Sequence, residues 1–183
     1  KVLAARRAGI RTVIVPEQVP VFAFAPGYQA QYGGCPDLFM GTAPLSCGGA
    51  MVPVMLETSA GSVTDASNLS NAREMLVLFT WSGNTADLVQ DLDYVTWGAT
   101  FEDGTRVDKT AVAGYQPDTA AASQIAAAAP APGESIERCA LEVGETLMGG
   151  NGASGHDETS EDLAASFQVQ ATPSPGVKNA CLP

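Results

Sequence analysis

The pattern of apolar and polar positions between residues 75 and 97 predicts two neighbouring β-strands. Residues 75–81 form a short apolar run of mostly aliphatic and aromatic residues, and the turn-forming sequence Ser82-Gly83-Asn84 follows. Residues 88–97 form a second run, in which alternation places on one face Val89, Asp91, Asp93, Val95 and Trp97. Neither face is cleanly apolar. We therefore predict two strands joined by a six-residue polar connection, residues 82–87, with an acidic cluster at one end.

Further β-strands are predicted from short runs of apolar residues at positions 19–25, 51–56, 134–141 and 167–170. Pro53 interrupts one of them, which favours an edge position or a bulge. Loops are predicted where glycine, serine, asparagine and proline predominate, at residues 35–49, 57–73 and 144–155. Residues 120–129 are alanine-rich and fit either a short helix or a low-complexity linker. Since no long run has helical periodicity, the pattern predicts an all-β protein.

Composition supports this fold class. The 183 residues suit one domain with a sizeable core, and 19 glycines and 12 prolines favour many short strands and turns. The formal net charge of −11 disfavours binding to nucleic acid or to anionic membranes, since both need a basic surface. No apolar run approaches the ~18 residues of a membrane-spanning helix, so we expect no membrane insertion. Cationic partners or divalent metal ions suit this charge best.

The four cysteines predict two disulfides and an oxidising, extracellular or cell-surface location. They show no CxxC spacing, which argues against a zinc ribbon or a thioredoxin-like motif. Free buried thiols are the alternative. Of the three connectivities we favour Cys35–Cys47, which flanks a Gly/Pro loop, together with Cys139–Cys181, which would attach the C-terminal tail.

The first 17 residues differ from the remainder, because they hold four of the nine basic residues and one of the twenty acidic residues. Residues 1–8 favour a helix, Gly9 a helix C-cap, and residues 11–15 a strand. In the form KVLAA-x-RAGI-x-TVI-x-PE this segment resembles the C-terminal part of the Lon protease proteolytic domain. An Arg-rich targeting peptide is another interpretation. Because the chain starts at Lys1 without a signal peptide, we expect a fragment of a longer protein.

The Lon resemblance implies a Ser-Lys dyad in which Lys1 would activate the serine. The chain has no GPSAG-like serine motif and no phosphate-binding P-loop, however. A fragment of an ATP-dependent Lon-type serine peptidase, with the serine missing from this chain, is therefore the alternative function. A solvated lysine is the simpler interpretation.

A second resemblance covers residues 19–176. The segments GYQAQYGGCPDLF, LVLF, DLDYVTWG, VDKT and ATPSPG are similar to the lamin-tail-like modules of bacterial exported proteins. That resemblance implies an immunoglobulin-like β-sandwich. Residues 1–17 stand where the first strands of such a module, with their acidic FVEL-type segment, should be, so we expect the sandwich to be incomplete at its N-terminus. Residues 177–183 are then a C-terminal tail.

An acidic segment near the C-terminus offers candidate metal ligands. Oxygen ligands this close together suit Ca²⁺, and the candidates are Asp157, Glu158, Glu161 and Asp162. The spacing does not match an EF-hand, and a solvated acidic loop is the alternative. Neighbouring Asn151 and His156, the only histidine, belong to the same segment; we predict an exposed loop position for the histidine. Other acids are predicted to line a polar rim: Asp87, Asp91, Asp93, Glu102, Asp103 and Asp108.

The sequence contains no nucleophile elbow and no other catalytic constellation, although its many acids leave paired-carboxylate glycosidase chemistry open. We therefore predict a non-catalytic secreted or cell-surface module for binding, adhesion or spacing. Its partner is an unknown protein or cell-surface ligand, and apart from calcium we expect no cofactor.

Overall fold

The computed structural model describes residues 2–3, 30, 32–35, 44–53, 70–98, 105–174 and 181. The described residues form seven β-strands in one three-stranded and two two-stranded sheets, with only short helical segments between them. All pairings except that of the first strand are antiparallel. The predicted all-β fold class is confirmed. Among these residues, no helix has the length and apolar character that crossing a bilayer requires.

The central hairpin consists of β4 (Glu74–Thr80) and β5 (Gln90–Trp97). These are the two strands that the apolar runs predicted, with ends shifted by one or two residues. The loop that connects them is held together by hydrogen bonds among its own polar groups. The Ser82 hydroxyl donates to Asp87 at 2.6 Å, and the Trp81 indole N–H donates to the Asn84 carbonyl at 2.8 Å.

A β-bulge in this hairpin changes the predicted faces of β5. Leu78 pairs with Asp93, whereas Phe79 pairs with Asp91, so Leu92 is an extra residue with no partner opposite. Paired residues of an antiparallel ladder lie on the same side of the sheet, and consecutive residues lie on opposite sides. The alternation that placed Asp91 and Asp93 on one face is therefore wrong: the bulge puts the two carboxylates on opposite faces.

Strand β1 (Val2–Leu3) pairs in parallel with β4, opposite Val77 and Leu78. The predicted helix over residues 1–8 does not include this pair, because the free edge of β4 offers backbone hydrogen bonds that favour an extended conformation. The rest of the segment 1–17, including Lys1, lies outside the described residues, as does the strand predicted at 19–25.

A small hairpin, β2 (Leu45–Cys47) and β3 (Ala50–Val52), follows. Its first strand lies inside the predicted loop 35–49, because the tight turn at Gly48 and Gly49, both with positive φ, brings short segments into register. Only the start of the predicted strand 51–56 lies among the described residues. Cys47 is buried and bonded to Cys35, one of the two disulfide pairs that the sequence favoured.

The last sheet consists of β6 (Ser135–Arg138) and β7 (Phe167–Gln170). Strand β7 has the predicted bounds, and β6 ends one residue before Cys139. That cysteine is bonded to Cys181, 42 positions further along the chain, which is the second favoured pair. The disulfide connects the end of β6 to the C-terminal tail.

The apolar core lies between these sheets. Its buried centre is formed by Tyr94, Trp97, Ala127 and Leu163, and seven partly buried apolar residues pack against it: Met75, Leu76, Val77, Val95, Val107, Ile136 and Phe167. The alanine-rich segment crosses this core after a single 3₁₀ turn, Ala121–Ser123. The Ala127 amide donates to the carbonyl of Thr96 at 2.9 Å, so the segment is neither a regular helix nor a free linker.

Candidate functional site

The charged residues of β5 contact a long connection, residues 105–163, on both sides of the strand. Two cations in this range each lie between two carboxylates: Lys109, in the segment after β5, and Arg138, at the end of β6. Because the bulge at Leu92 separates Asp91 from Asp93, these are two distinct clusters.

The first cluster is centred on Lys109. Its Nζ lies 2.6 Å from Asp91 Oδ2 and 3.1 Å from Asp118 Oδ2, and the three side chains are 13%, 6% and 1% exposed. Asn151 completes it by donating from Nδ2 to Asp118 Oδ1 at 2.6 Å. Burial acts to lower the pKa of Lys109, but the hydrogen bond to Asp91 and the two carboxylate charges outweigh burial and raise it. Burial also raises the pKa of Asp91, and the hydrogen bond and positive charge of Lys109 oppose that shift.

The second cluster is centred on Arg138. The guanidinium contacts Asp93 through Nη2 and lies 2.6 Å from Glu161 Oε1 through Nη1, and it stacks 4.6 Å from the centroid of the Phe167 ring. The Glu161 side chain is 1% exposed, whereas that of Asp93 is 46% exposed. The buried Ser166 hydroxyl donates a further hydrogen bond to Glu161. In this cluster Glu161 is buried, whereas Asp93 is partly exposed, although burial still raises the pKa of Asp93.

The four predicted calcium ligands have separate environments. Asp157 and Asp162 cap short helical segments, accepting hydrogen bonds from the amides of Thr159 and Ala165 at 3.1 Å. Glu161 pairs with Arg138. Glu158 differs: burial, and then the charges of Glu145 and other carboxylates, raise its pKa to about 7. A calcium ion bound by all four remains a prediction.

A different group brings three potential ligand atoms together: Glu142, Glu145 and His156. One ligand atom from each lies within 4.8 Å of the others. Glu145 Oε1 is 3.1 Å from His156 Nδ1, and the side chains are 2% and 22% exposed. Despite that approach, Glu145 Oε1 is a buried oxygen without a hydrogen-bond partner. Burial raises the pKa of Glu145, and the positive charge that His156 can carry opposes the shift.

The backbone around this group is tightly constrained. Glu142 has a φ of +52°, an uncommon conformation for a residue with a side chain, and the Glu145 amide donates back to the Glu142 carbonyl at 3.3 Å. Thr146 forms an isolated bridge with Asp157, which holds the two chain segments side by side. A side chain at Gly150 would clash with the backbone of His156, since its Cβ would lie 2.1 Å from the His156 carbonyl oxygen. Glycine is therefore needed beside the histidine.

Sequence analysis identified part of this site and missed part. His156 was expected to be exposed, but it is partly buried against Glu145. Glu142 and Glu145 were not candidates. The signal in the sequence was a pair of glutamates three residues apart around Gly144, and such pairs are too common to identify a metal site by themselves.

Asp91 was assigned to a polar rim and is buried, because Lys109 neutralises it. Asp87 and Asp108 are exposed as predicted, and Glu102 and Asp103 lie outside the described residues.

Comparisons with known proteins add no relative: no family model, no curated protein and no solved structure matches this chain. The fold and the disulfides define it as an all-β, disulfide-linked protein. The lamin-tail-like and Lon-like resemblances stay predictions.

Proposed function

We propose that this chain is a non-catalytic module of an extracellular or cell-surface protein, built as an immunoglobulin-like β-sandwich and used for binding, adhesion or spacing. The observation that carries the proposal is the placement of the buried charges. Lys109 and Arg138 each neutralise two carboxylates and are held by them, an arrangement that orders the chain and leaves neither cation free to assist a reaction.

The disulfides support the proposed location. Cys35–Cys47 and Cys139–Cys181 use all four cysteines, and bonds of this kind persist in oxidising compartments. Each also closes a loop, which stabilises the fold mainly by restricting the unfolded chain.

Trp81 supports binding among the three proposed uses. Its side chain is 43% exposed at the end of β4, while its indole N–H is held by the Asn84 carbonyl. An exposed aromatic ring in a fixed orientation is a frequent contact residue in protein interfaces.

The location is tested in cells of the source organism that produce the full-length protein. Intact cells are treated with an external protease, and the chain isolated from untreated cells is labelled with a thiol reagent after denaturation without a reductant. We expect no reactive thiol in this chain under denaturing, non-reducing conditions, and digestion by the external protease. Four reactive thiols in a chain protected from the protease would overturn the proposal.

The non-catalytic role is tested against the Lon-type alternative with a fluorogenic casein substrate. Because the serine of that alternative is missing from this chain, the test uses the full-length protein with ATP, and we expect no hydrolysis and no difference in a Lys1→Ala variant. Hydrolysis that disappears in Lys1→Ala, while a Lys109→Arg control keeps it, would establish the peptidase function instead.

A further inference from the structure

We propose that Glu142, Glu145 and His156 form a binding site for a divalent transition metal ion, with Zn²⁺ as the best match. The site is separate from the four predicted calcium ligands, and it does not depend on the proposed module function.

The buried oxygen of Glu145 is the main reason for this proposal. A carboxylate oxygen that is out of water and has no hydrogen-bond donor destabilises the fold unless something else satisfies it. The Glu145 side chain is 2% exposed, and its Oε1 points towards His156 Nδ1 at 3.1 Å. Two ligand atoms that share one Zn²⁺ at bond lengths of ~2.0–2.2 Å lie roughly 3–3.5 Å apart. The observed separation also fits a His–Glu ion pair, and it would allow both atoms to bind one ion without a rearrangement.

The third ligand completes a set that one ion can span. The ligand atoms of Glu142, Glu145 and His156 all lie within 4.8 Å of one another, so a small movement of the exposed Glu142 carboxylate towards the other two would bring three ligands to one ion. Three protein ligands with a fourth position open to water are typical of accessible zinc sites. Two carboxylates also balance the charge of a divalent cation.

The chemistry of the ligands selects the metal. Imidazole nitrogen is a good ligand for Zn²⁺ and neighbouring transition metals and a poor one for Ca²⁺ and Mg²⁺, which prefer six or more oxygens. Three of the nearby acids already have protein partners, because Asp157 and Asp162 accept backbone hydrogen bonds and Glu161 pairs with Arg138.

Binding is measured on the tag-free chain with both disulfides intact, by titrating ZnCl₂ in a calorimeter and recording imidazole NMR signals. Because the chain has a single histidine, any shifted imidazole signal belongs to His156. We expect one Zn²⁺ per chain and a rise in Tm of about 5–10 °C at a free concentration 100 times the Kd. Affinity should fall as the pH is lowered from 7.5 to 5.5, because protons compete for the ligands.

Three substitutions test the ligands: His156→Ala, Glu145→Gln and Glu142→Gln. Each should weaken Zn²⁺ binding by roughly tenfold to 100-fold or more. The matched control is Glu134→Gln, which removes the same charge from the loop before β6 and should bind as the unmodified chain does. Glu142 is exposed, so its variant keeps the test valid if Glu145→Gln does not fold.

The proposal is overturned if Zn²⁺ leaves the His156 signals unchanged, or if the three variants bind as tightly as Glu134→Gln. It is also overturned if Ca²⁺ binds at this group more tightly than Zn²⁺.

Discussion

The two faces of β5 use charge differently. On one face, Lys109 and its carboxylates are almost completely removed from water, and each polar group has a charged or amide partner. On the other face, Arg138 pairs with a sealed carboxylate, Glu161, and an open one, Asp93. Glu158 and Glu145 lie near this second cluster, and the charges of other carboxylates, including Asp91 of the first cluster in the case of Glu158, help to raise their pKa values.

This difference separates a structural cluster from a candidate binding region. Buried carboxylates that are already paired with a cation have no charge left to bind a ligand. Carboxylates that lie near other carboxylates without enough cations bind protons or metal ions more readily. The stability of the first face should therefore depend on its own lysine, and that of the second face on pH and on added cations.

The largest expected effect is that of Lys109→Met. The substitution leaves Asp91 and Asp118 buried without a cation, and the free energy of unfolding should fall by about 3–5 kcal/mol. Urea denaturation at pH 7 measures it. Lys109→Arg is the control, because it keeps the charge and should lose much less. A loss below ~1 kcal/mol for Lys109→Met would mean that the cluster is not closed.

Arg138→Met should have a smaller effect, about 2–4 kcal/mol by the same measurement. Glu161 is left buried, but it keeps its hydrogen bond from Ser166, and Asp93 is open to water. The comparison variant is Asp93→Asn, which removes only the exposed partner and should cost less than ~1 kcal/mol. Equal losses for the two variants would contradict the assignment of Glu161 as the sealed partner.

Glu158 should make stability depend on pH. The pKa of Glu158 rises from a usual value of 4.5 to about 7 in the fold. Between these values the folded chain holds more protons than the unfolded chain, so stability falls as the pH rises through this window. Because the side chain is partly exposed, we expect a loss of only about 1–2 kcal/mol between pH 4.5 and 7.5.

The measurement is urea denaturation across that pH range, and Glu158→Gln is the comparison variant because it resembles the protonated form. It should equal the unmodified chain near pH 4.5 and be more stable at pH 7.5. Parallel stability curves would show that Glu158 has an ordinary pKa.

Calcium should have the smallest effect. Since Asp157, Glu161 and Asp162 already have protein partners, we expect CaCl₂ followed by EDTA to change the Tm by less than about 2 °C. A decrease of several degrees with EDTA would instead support the calcium site predicted from the sequence. The same Tm measurement with ZnCl₂ provides the comparison, since we expect Zn²⁺ to raise the Tm through Glu142, Glu145 and His156.

The sequence predicted the elements whose signal is local. The apolar runs identified β4, β5 and β7, because alternation and turn residues lie within a few positions of one another. Cysteine count and loop composition favoured the two disulfide pairs that the structure contains.

What the sequence could not predict depends on contacts between distant segments. Nothing local marks Leu92 as a bulge, and without the bulge Asp91 and Asp93 are assigned to one face. Lys109 looks like an ordinary surface lysine until the fold places two acids beside it. Glu142 and Glu145 become candidates only because a bridge between Thr146 and Asp157 brings His156 to them.

The bond between Cys139 and Cys181 encloses β7 and the whole acidic segment in one covalent ring. A single protease cut anywhere between these cysteines would open the ring without releasing either piece. A nicked molecule would therefore stay in one covalent piece, heavier by one water, until a reductant separated the fragments.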